Sequence, residues 1–298
     1  MSMRTCVIFN PAARGEKAAR FRQHLAEIST QCTLKPTYAA GAGRALGAEA
    51  AKEGFEIIVA AGGDGTVNEV LNGIGDVPEA LARVRFAVMP LGTVNVFAKE
   101  LRMPTGFTAA WNVILQGRET TIDLPEAEYS AGGKPQTRFF AQMAGAGLDS
   151  RAIDLVDFQL KKKIGGLAYV MAGLKALKGP LPQIVATDGK ETHQGELVLI
   201  GNGRFYGGKY PLFPLADLRD GLLEVSVFPK VNFQGFMRAG WGLLLNQLYS
   251  SGGAKHFKAE SIQLYSSLPV LFHVEGENTG QLPAKFSIRR NALRVVVP

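Results

Sequence analysis

The stretch of residues 56–74, EIIVAAGGDGTVNEVLNGI, constrains the fold most, because it joins two different apolar patterns through glycines. Residues 56–60 form a short run typical of a buried strand, and the apolar residues after the glycines recur at helical spacing. Gly62, Gly63 and Gly65 lie between these patterns. Glycines there let the backbone take positive φ and approach a ligand, so that amide groups beside a helix N-terminus can bind an anion. The stretch therefore predicts a strand, a phosphate-binding loop and a helix.

The polar residues of this loop each have a structural and a ligand-binding interpretation. Thr66 and Glu69, which lie three residues apart, fit a capping box, in which both side chains bond the first backbone groups of the helix. Asp64 is a carboxylate at a position where it would repel a phosphate, and a Mg²⁺ bound by both would remove the conflict. The alternative for Asp64 is an ordinary turn residue. The spacing matches neither the Walker pattern nor the GxGxxG dinucleotide pattern.

Strand and helix patterns alternate from residue 4 to about residue 120, which predicts a parallel sheet with helices on both faces. The predicted strands cover residues 5–9, 33–38, 56–60 and 86–89. Ligands of such sheets bind beyond the carboxyl ends of the strands. We therefore expect the loops at Asn10, Thr37, Gly62 and Gly92 to lie along one edge and to form a single site. Thr93, in the last of these loops, is expected to cap the helix that follows.

From about residue 121 the pattern changes to short apolar strands separated by turn clusters such as Gly132-Gly133 and Asp188-Gly189. Strands are predicted at Ile122 and at residues 139–143, 197–200, 222–228, 261–265, 270–274 and 284–297. Two helical stretches interrupt them, at residues 150–178 and 232–249. We therefore expect an α/β domain over residues 1–121 and a second, mostly antiparallel β domain over residues 122–298.

Composition and charge limit the class of partner less strictly than the sequence patterns limit the fold. The formal net charge of +7 over 298 residues suits nucleotides or anionic lipid surfaces, but it is too modest and dispersed to indicate nucleic acid. Cys6 and Cys32 have no metal-ligand spacing, which favours a reducing, cytoplasmic compartment. No apolar run approaches the length of a membrane-spanning helix, and the N-terminus lacks a signal-peptide core. We expect a protein that is neither secreted nor membrane-spanning.

A set of short motifs runs in order along nearly the whole chain. The motifs are Asn10-Pro11 with Gly15, Thr37, Gly62-Gly63-Asp64-Gly65-Thr66 with Asn68-Glu69, Pro90-Leu91-Gly92-Thr93 with Asn95, Ile122-Asp123-Leu124, Gly147-Leu148-Asp149, Gly201-Asn202, Tyr206-Gly207-Gly208, Pro214 with Ala216, Asp220-Gly221-Leu222 and Glu275-Gly276-Glu277. Together they resemble the diacylglycerol kinase catalytic family, which includes sphingosine and ceramide kinases and bacterial soluble lipid kinases. The GGDGT motif alone is only moderately specific, because NAD kinases share it, whereas the ordered set is much more specific.

The resemblance implies a nucleotide-binding domain like that of NAD kinases, a β-rich domain for the lipid substrate, and an active site in the cleft between them. The implied nucleotide-binding residues are Asn10, Thr37, Gly62, Gly63, Asp64, Gly65, Thr66, Val67, Asn68, Glu69, Gly92, Thr93 and Asn95. The resemblance also implies that Asp64 acts through Mg²⁺ on the phosphates of ATP and that Glu275 is the general base for the lipid hydroxyl. A second, structural Mg²⁺ would be held by Asp217, Asp220 and the backbone of Leu222.

Two positions depart from the family pattern, and the residues alone leave other interpretations open. Glu275 replaces a typical aspartate, and Val96 stands where many bacterial relatives have an acid. We expect the missing acid at Val96 to reduce dependence on the metal and water network rather than to remove activity. Without the family, Asp217 and Asp220 would be interpreted as turn acids ahead of a strand, and Asn10 as part of an ordinary Asn-Pro turn.

Two stretches are candidates for contact with a membrane surface, from which a lipid substrate would come. The first has Lys161, Lys162 and Lys163 ahead of Leu167, Tyr169, Val170, Leu174 and Leu177, with Lys175 and Lys178 beside them; the second contains Phe233, Phe236, Met237, Trp241, Leu244, Leu245 and Leu248. The alternative for each is a helix that packs its apolar face on the β domain.

The function favoured by the sequence is ATP-dependent phosphorylation of a lipid hydroxyl, on diacylglycerol, ceramide, a long-chain base or a monoacylglycerol. The expected partners are ATP, Mg²⁺, a lipid and an anionic membrane contacted peripherally from the cytoplasm, and not nucleic acid. A homodimer is compatible with the sequence, which leaves the oligomeric state open. The alternatives are a kinase of a soluble acceptor such as NAD and a non-catalytic lipid- or nucleotide-binding module.

Overall fold

The computed structural model describes residues 3–13, 15–155, 167–206, 208, 210–235 and 253–298. The chain divides into two compact units. The first comprises Met1–Leu124, Gly207–Lys209 and Arg289–Pro298, and the second comprises Pro125–Tyr206 and Tyr210–Ile288. Among the helices of these described ranges, none combines the length and the apolar character that crossing a membrane requires.

The first unit is built on a parallel sheet. Its strands are β1 (Thr5–Phe9), β2 (Thr33–Pro36), β3 (Ile57–Gly62) and β4 (Arg85–Pro90), in the order β2-β1-β3-β4. Every residue of β1 and β3 is buried, as parallel strands covered on both faces require. The predicted parallel α/β domain is confirmed, although β2 is shorter than predicted and β3 continues to the second residue beyond the predicted end.

The helices of the first unit alternate with these strands. They are α1 (Glu16–Gln23), α2 (Leu25–Ile28), α3 (Ala42–Lys52), α4 (Asp64–Gly75), α5 (Ala80–Arg83), α6 (Val96–Glu100) and α7 (Phe107–Gln116). Helices α3 and α4 approach each other through glycines: a Cβ atom on Gly73 would lie 2.0 Å from the carbonyl oxygen of Arg44, and one on Gly47 would lie 2.7 Å from that of Val70. The contact between these helices therefore depends on the absence of side chains at both positions.

The second unit is antiparallel, as predicted from its turns and short strands. The described elements from residue 118 onwards, of which β5 and β18 extend into the first unit, are β5 (Arg118–Ala131), β6 (Lys134–Phe139), β7 (Met143–Gly147), α8 (Leu148–Asp154), α9 (Leu167–Ala176), β8 (Ile184–Thr187), β9 (Thr192–Gly195), β10 (Leu197–Gly201), β11 (Phe205–Tyr206), β12 (Tyr210–Pro211), β13 (Leu223–Phe228), β14 (Lys255–Ala259), β15 (Ser261–Tyr265), β16 (Leu271–Val274), β17 (Glu277–Gln281) and β18 (Ala284–Val297). One sheet has the order β14-β13-β10-β7-β16-β17, and a second run has the order β18-β15-β8-β9. Phe140, Phe272 and Phe286 lie fully buried in its core.

The long strand β18 explains why the last ten residues, Arg289–Pro298, belong to the first unit. Its beginning pairs with β15, whereas Arg294 and Val295 pair in parallel with β4. The Arg294 guanidinium also bonds both carboxylate oxygens of Glu119, at 2.7 and 2.8 Å. The single boundary predicted at residue 121 did not anticipate this return of the chain, because strand pairing between distant segments leaves no local sequence signal.

Two other predictions differ from the structure in detail. The strand predicted at residues 139–143 is instead the junction between β6, which ends at Phe139, and β7, which begins at Met143. The helix predicted over residues 150–178 is represented by α8 and α9, and residues 156–166 lie outside the described part of the chain. Of the helix predicted over residues 232–249, residues 236–249 likewise lie outside it.

Replacing Gly73 with alanine should destabilise the first unit by about 3 kcal/mol, because the new methyl group would overlap the backbone of α3. Alanine forms helices better than glycine, so a decrease in the free energy of unfolding would report the cost of the steric overlap alone. This free energy of unfolding is measured by urea denaturation. The matched control is Gly106→Ala, where no atom lies within 4 Å of the new Cβ, and the loss should not exceed about 1 kcal/mol. Equal losses in the two variants would contradict the close approach of α3 and α4.

Candidate active site

The loops at the carboxyl ends of the parallel strands lie along one edge of the first unit's sheet. The register pairs Phe9 with Pro36 and with Ala61, and Gly62 with Pro90, so the residues that follow these strands are neighbours. The amide of Thr37 donates to the carbonyl oxygen of Phe9 at 2.8 Å. The expectation that Asn10, Thr37, Gly62 and Gly92 share one edge therefore agrees with the pairing of the strands.

The glycines of the GGDGT stretch do not take the positive φ that we expected, and close packing explains Gly62 and the neighbouring Gly92. Gly62 ends β3 and Asp64 begins α4, so Gly63 alone separates the strand from the helix, with φ of −92°. Gly62, Gly63 and Gly65 are all outside the positive-φ region. A Cβ on Gly62 would lie 2.5 Å from Thr66 Oγ1, and one on Gly92 would lie 2.5 Å from Gly63 Cα. Glycine is required here because two strand ends and a helix start share the same space.

Asp64 joins this stretch to the loop after β4. Its Oδ1 accepts a hydrogen bond of 2.6 Å from the amide of Val96, the first residue of α6. Burial raises the pKa of the Asp64 carboxyl above its ordinary value, although the amides of Val96, Phe97 and Asn95 act in the opposite direction. The prediction that Thr93 caps this helix is wrong, because the helix begins three residues later and the acceptor comes from Asp64.

Asn95 shapes the loop between β4 and α6. Its backbone is left-handed, with φ of 54°, and its side chain bonds Gly92 twice: Oδ1 accepts from the Gly92 amide at 2.8 Å and Nδ2 donates to the Gly92 carbonyl at 2.6 Å. A short polar side chain tolerates this backbone conformation and folds the loop back on itself. Asn95 therefore holds Gly92 against Gly63, while Thr93 is exposed.

Glu69 caps a different helix from the one that we expected. Its Oε1 accepts from the amide of Gly41 at 2.8 Å and its Oε2 accepts from the amide of Gly43 at 2.9 Å, at the start of α3. The capping box predicted with Thr66 is therefore wrong, because the Glu69 side chain lies on the neighbouring helix. Any contact of Glu69 with a nucleotide would compete with these two bonds.

Three further predicted nucleotide-binding residues have structural contacts of their own. The Asn10 side chain accepts a hydrogen bond of 2.9 Å from the amide of Ala12, which makes the Asn-Pro segment an Asx turn. Val67 and Asn68 lie inside α4 and are only 4% and 2% exposed. The side chains of Val67 and Asn68 therefore lie in the core of the first unit, and contact of these two residues with a nucleotide stays a prediction.

The N-terminus of α4 is the strongest anion-binding feature of the first unit. The first backbone bond of the helix runs from the amide of Val67 to the carbonyl oxygen of Gly63. The amides of Asp64, Gly65 and Thr66 precede that bond, in the turn where a helix has donors without helical acceptors. Such a turn also carries the positive end of the helix dipole. This geometry suits the phosphates of a nucleotide.

Glu275 is the most firmly positioned candidate residue of the second unit. It occupies the turn between β16 and β17 with φ of 53°, and Gly276 follows with φ of 79°. Glu275 Oε1 accepts hydrogen bonds of 2.7 Å from the amides of both Ala141 and Gln142. The Glu275 amide donates to the carbonyl oxygen of Met143 at 2.9 Å. Backbone and side chain are thus both tied to the segment around the start of β7.

A pair formed by Asp149 and the buried His273 supports this turn, and it was not predicted from the sequence. His273 Nε2 lies 2.8 Å from Asp149 Oδ2, and the Tyr206 hydroxyl donates to Asp149 Oδ1 at 2.9 Å. The amide of Gly276 donates to His273 Nδ1 at 3.3 Å. Burial by itself raises the pKa of Asp149, but its interaction with His273 and the hydrogen bond from Tyr206 hold that pKa below its ordinary value. The Gly-Leu-Asp motif could have identified Asp149, whereas His273 has no local signal.

The predicted structural metal site does not fit a divalent ion in the arrangement observed. Asp217 Oδ1 accepts from the amide of Arg219 at 3.0 Å, and Asp220 Oδ1 accepts from the amide of Leu222 at 3.0 Å. The second oxygen of Asp220 lies 2.9 Å from Lys258 Nζ, so an ammonium group already neutralises it. Elsewhere in the described residues, His, Cys, Asp and Glu side chains do not gather in groups of three or more suited to a metal. The alternative of turn acids describes Asp217 and Asp220 better.

The described parts of the two candidate membrane stretches differ in their exposure to solvent. In α9, Ala172 and Ala176 are buried against Leu148 and Ala152 of α8, so this part of the helix packs on protein. Phe233, in the second stretch, is 62% exposed. Lys161, Lys162, Lys163, Phe236, Met237, Trp241, Leu244, Leu245 and Leu248 lie outside the described residues.

Comparisons with known proteins match two family models to successive parts of the chain. Residues 4–127 match the model of the diacylglycerol kinase catalytic domain, and residues 142–297 match that of the YegS C-terminal NAD kinase beta sandwich-like domain. A diacylglycerol kinase of Bacillus subtilis is 29% identical over 307 residues, which cover 99% of this chain and 96% of that protein. A diacylglycerol kinase of Staphylococcus haemolyticus is 32% identical over 261 residues, which cover 84% of this chain and 73% of that protein.

A solved structure shows the same fold. The crystal structure of a diacylglycerol kinase from Bacillus anthracis matches with a TM-score of 0.71 at 19% identity, covering 99% of this chain and 97% of that one. At this identity the likeness concerns the fold alone. The sequence relatives and the matched domain models account for both units, and the chain therefore belongs to the diacylglycerol kinase family.

Proposed function

We propose that this protein is an ATP-dependent lipid kinase that transfers the γ-phosphoryl group to a lipid hydroxyl, on diacylglycerol, ceramide, a long-chain base or a monoacylglycerol. The observation that carries the proposal is the N-terminus of α4, where backbone amides precede the first helical bond beside the carboxylate of Asp64. The names of the curated relatives support a lipid as the acceptor.

The first unit would hold the phosphates of ATP. The amides of Asp64, Gly65 and Thr66 donate to the phosphate oxygens, and the absence of Cβ atoms at Gly63 and Gly92 keeps the backbone of this edge compact. The carboxylate of Asp64 suits Mg²⁺, and its Oδ1 is already held by the amide of Val96. When bound with the nucleotide, Mg²⁺ supplies positive charge that stabilises the charge on the transferring group.

The second unit would supply the proton acceptor. The hydroxyl oxygen of the lipid forms a bond to the γ-phosphorus, the bond from that phosphorus to the ADP oxygen breaks, and the hydroxyl proton passes to Glu275. The amides of Ala141 and Gln142, which both donate to Oε1, fix the position of the Glu275 carboxylate. A carboxylate held in this way is positioned before the substrate arrives, which lowers the cost of reaching the reactive arrangement.

A panel assay separates the lipid kinase from its alternatives. The protein is incubated with labelled ATP, Mg²⁺ and one acceptor at a time: diacylglycerol, ceramide, a long-chain base, a monoacylglycerol or NAD. Lipids are presented in anionic and in neutral vesicles, because the net charge of +7 favours an anionic surface. Labelled phospholipid supports the proposal, labelled NADP indicates a kinase of a soluble acceptor, and nucleotide binding without either product indicates a non-catalytic module.

Asp64→Asn should reduce turnover at least about a hundredfold while the protein stays folded. The asparagine carbonyl oxygen can still accept the hydrogen bond from Val96, but it lacks the charge that holds Mg²⁺. Asp64→Ala loses the charge and the bond, so it should lower both turnover and the melting temperature. The control is Asp76→Asn, at the opposite end of α4, which should retain turnover. Full activity of Asp64→Asn would remove Asp64 from the mechanism.

Glu275→Gln should lower kcat by about a hundredfold to ten-thousandfold and leave ATP binding unchanged, because glutamine keeps the contacts with Ala141 and Gln142 but cannot accept the proton. The matched control is Glu277→Gln, on the other side of Gly276. The Glu277 side chain is 54% exposed and lies 3.6 Å from Arg138. If Glu277→Gln abolished turnover and Glu275→Gln did not, the proton acceptor would be Glu277.

Val96→Asp should change the lipid kinase rate by less than about a hundredfold. The new carboxylate would stand at the first residue of α6, beside Asp64, where the helix N-terminus tolerates negative charge. Val96→Asn is the uncharged control of similar size. A rise beyond that limit in the aspartate variant alone would identify the wild type as a degenerate kinase.

A further inference from the structure

We propose that Lys258 takes the place of the second, structural Mg²⁺ that the family resemblance implies, so that the turn of residues 217–222 is held by an ammonium group of the chain itself. The proposal concerns the second unit alone. It does not depend on the reaction that the protein catalyses.

Lys258 Nζ is surrounded by three oxygen atoms. It lies 2.9 Å from Asp220 Oδ2 and donates to the carbonyl oxygen of Leu215 at 3.1 Å. Glu224 Oε1 is also 3.1 Å away. The ammonium group donates hydrogen bonds to the first two of these oxygens, and Glu224 Oε1 contacts it as an ion pair outside hydrogen-bond geometry. The same type of oxygen ligands would otherwise attract a divalent ion.

The position of Lys258 is set by the register of the sheet. Strands β13 and β14 are antiparallel, and Glu224 is paired directly with Lys258 across them. Opposite charges that face each other in this way stabilise the pairing of two strands. The lysine therefore reaches Asp220 from a fixed point on a regular strand and not from a loop.

Glu224 keeps the ammonium group in place. This carboxylate is only 3% exposed, and Lys258 Nζ is the cation beside it. A buried carboxylate without a cation costs much more than an exposed one, so displacement of Lys258 towards solvent is unfavourable. A divalent ion on Asp220 would stand next to this ammonium group and be repelled by it.

The other aspartate of the turn also faces a cation of the chain. Asp217 Oδ1 lies 3.7 Å from Arg219 Nε, in addition to its bond with the Arg219 amide. Asp220 Oδ1 is used by the amide of Leu222. Arg219 and Lys258 thus bring two positive charges to this turn, as many as a divalent ion would bring, and the charge of Lys258 is shared between Asp220 and Glu224.

The test is thermal unfolding without nucleotide, in chelator and in excess Mg²⁺, with the Asp64→Asn background to remove the other predicted metal ligand. The parent protein should melt within about 1 °C in the two buffers, because Mg²⁺ has no site to stabilise. Lys258→Met, which removes the ammonium group and keeps the length of the side chain, should melt lower in chelator and regain several degrees in Mg²⁺. Lys255→Met, at an exposed position of the same strand, should behave like the parent.

A direct binding measurement keeps the proposal testable if Lys258→Met fails to fold. Mn²⁺ is titrated into the nucleotide-free Asp64→Asn protein and followed by its paramagnetic signal, with Asp220→Asn in the same background as the control. Equal, weak binding in both proteins supports the proposal. Tight binding that Asp220→Asn abolishes, or a rise of several degrees in the melting temperature of the parent with Mg²⁺, would overturn it.

Discussion

The close contact between the backbones of Gly63 and Gly92 is the constraint on which the site of the first unit depends. A side chain at Gly92 would overlap Gly63, so the ends of β3 and β4 could not approach as they do. The approach brings the amide of Val96 within 2.6 Å of the Asp64 carboxylate. The starts of α4 and α6 are thereby fixed to each other, and Asp64 is held beside the first-turn amides of α4 before any ligand binds. Such preorganised donors are the main resource of a site for phosphoryl transfer.

The sequence predicts the arrangement of this edge better than the role of its residues. Buried strands, helical spacing and turn residues are local signals, and they were sufficient for the parallel sheet and the order of its loops. The partners of the polar residues are not local. Glu69 bonds an amide 26 residues away, and Asp64 bonds one 32 residues away. A spacing rule assigns such residues to the nearest helix, which is why the capping box with Thr66 was wrong.

In the second unit, too, the partners of polar residues could not be predicted from the sequence, and they lie even further apart along the chain. Its turns were predicted, since Gly132-Gly133 and Asp188-Gly189 are turns in the structure, where they close hairpins whose strands were not all predicted. The contacts of Glu275 with the amides of Ala141 and Gln142 span 134 and 133 residues. Antiparallel pairing of β16 and β7 creates this proximity, and the pairing follows from the packing of the whole unit. The family resemblance could therefore name Glu275, but only the fold gives a reason why its carboxylate is held.

The carboxylates of this chain are stabilised mainly by donors that the chain itself supplies. Asp64 and Glu69 each accept from the start of a helix, Glu275 accepts from two amides of one segment, and Asp220 faces Lys258. Amides and an ammonium group already satisfy these carboxylates, so no bound ion is needed to hold them in the fold. The charge on these donors stays the same during turnover. In the proposed reaction the charge at the transferring phosphoryl group does change between the ground state and the transition state. Donors at fixed positions are complementary to only one of these two states. In the proposed reaction a metal ion would therefore be most useful beside Asp64, and least useful at the turn where Lys258 lies beside Asp220.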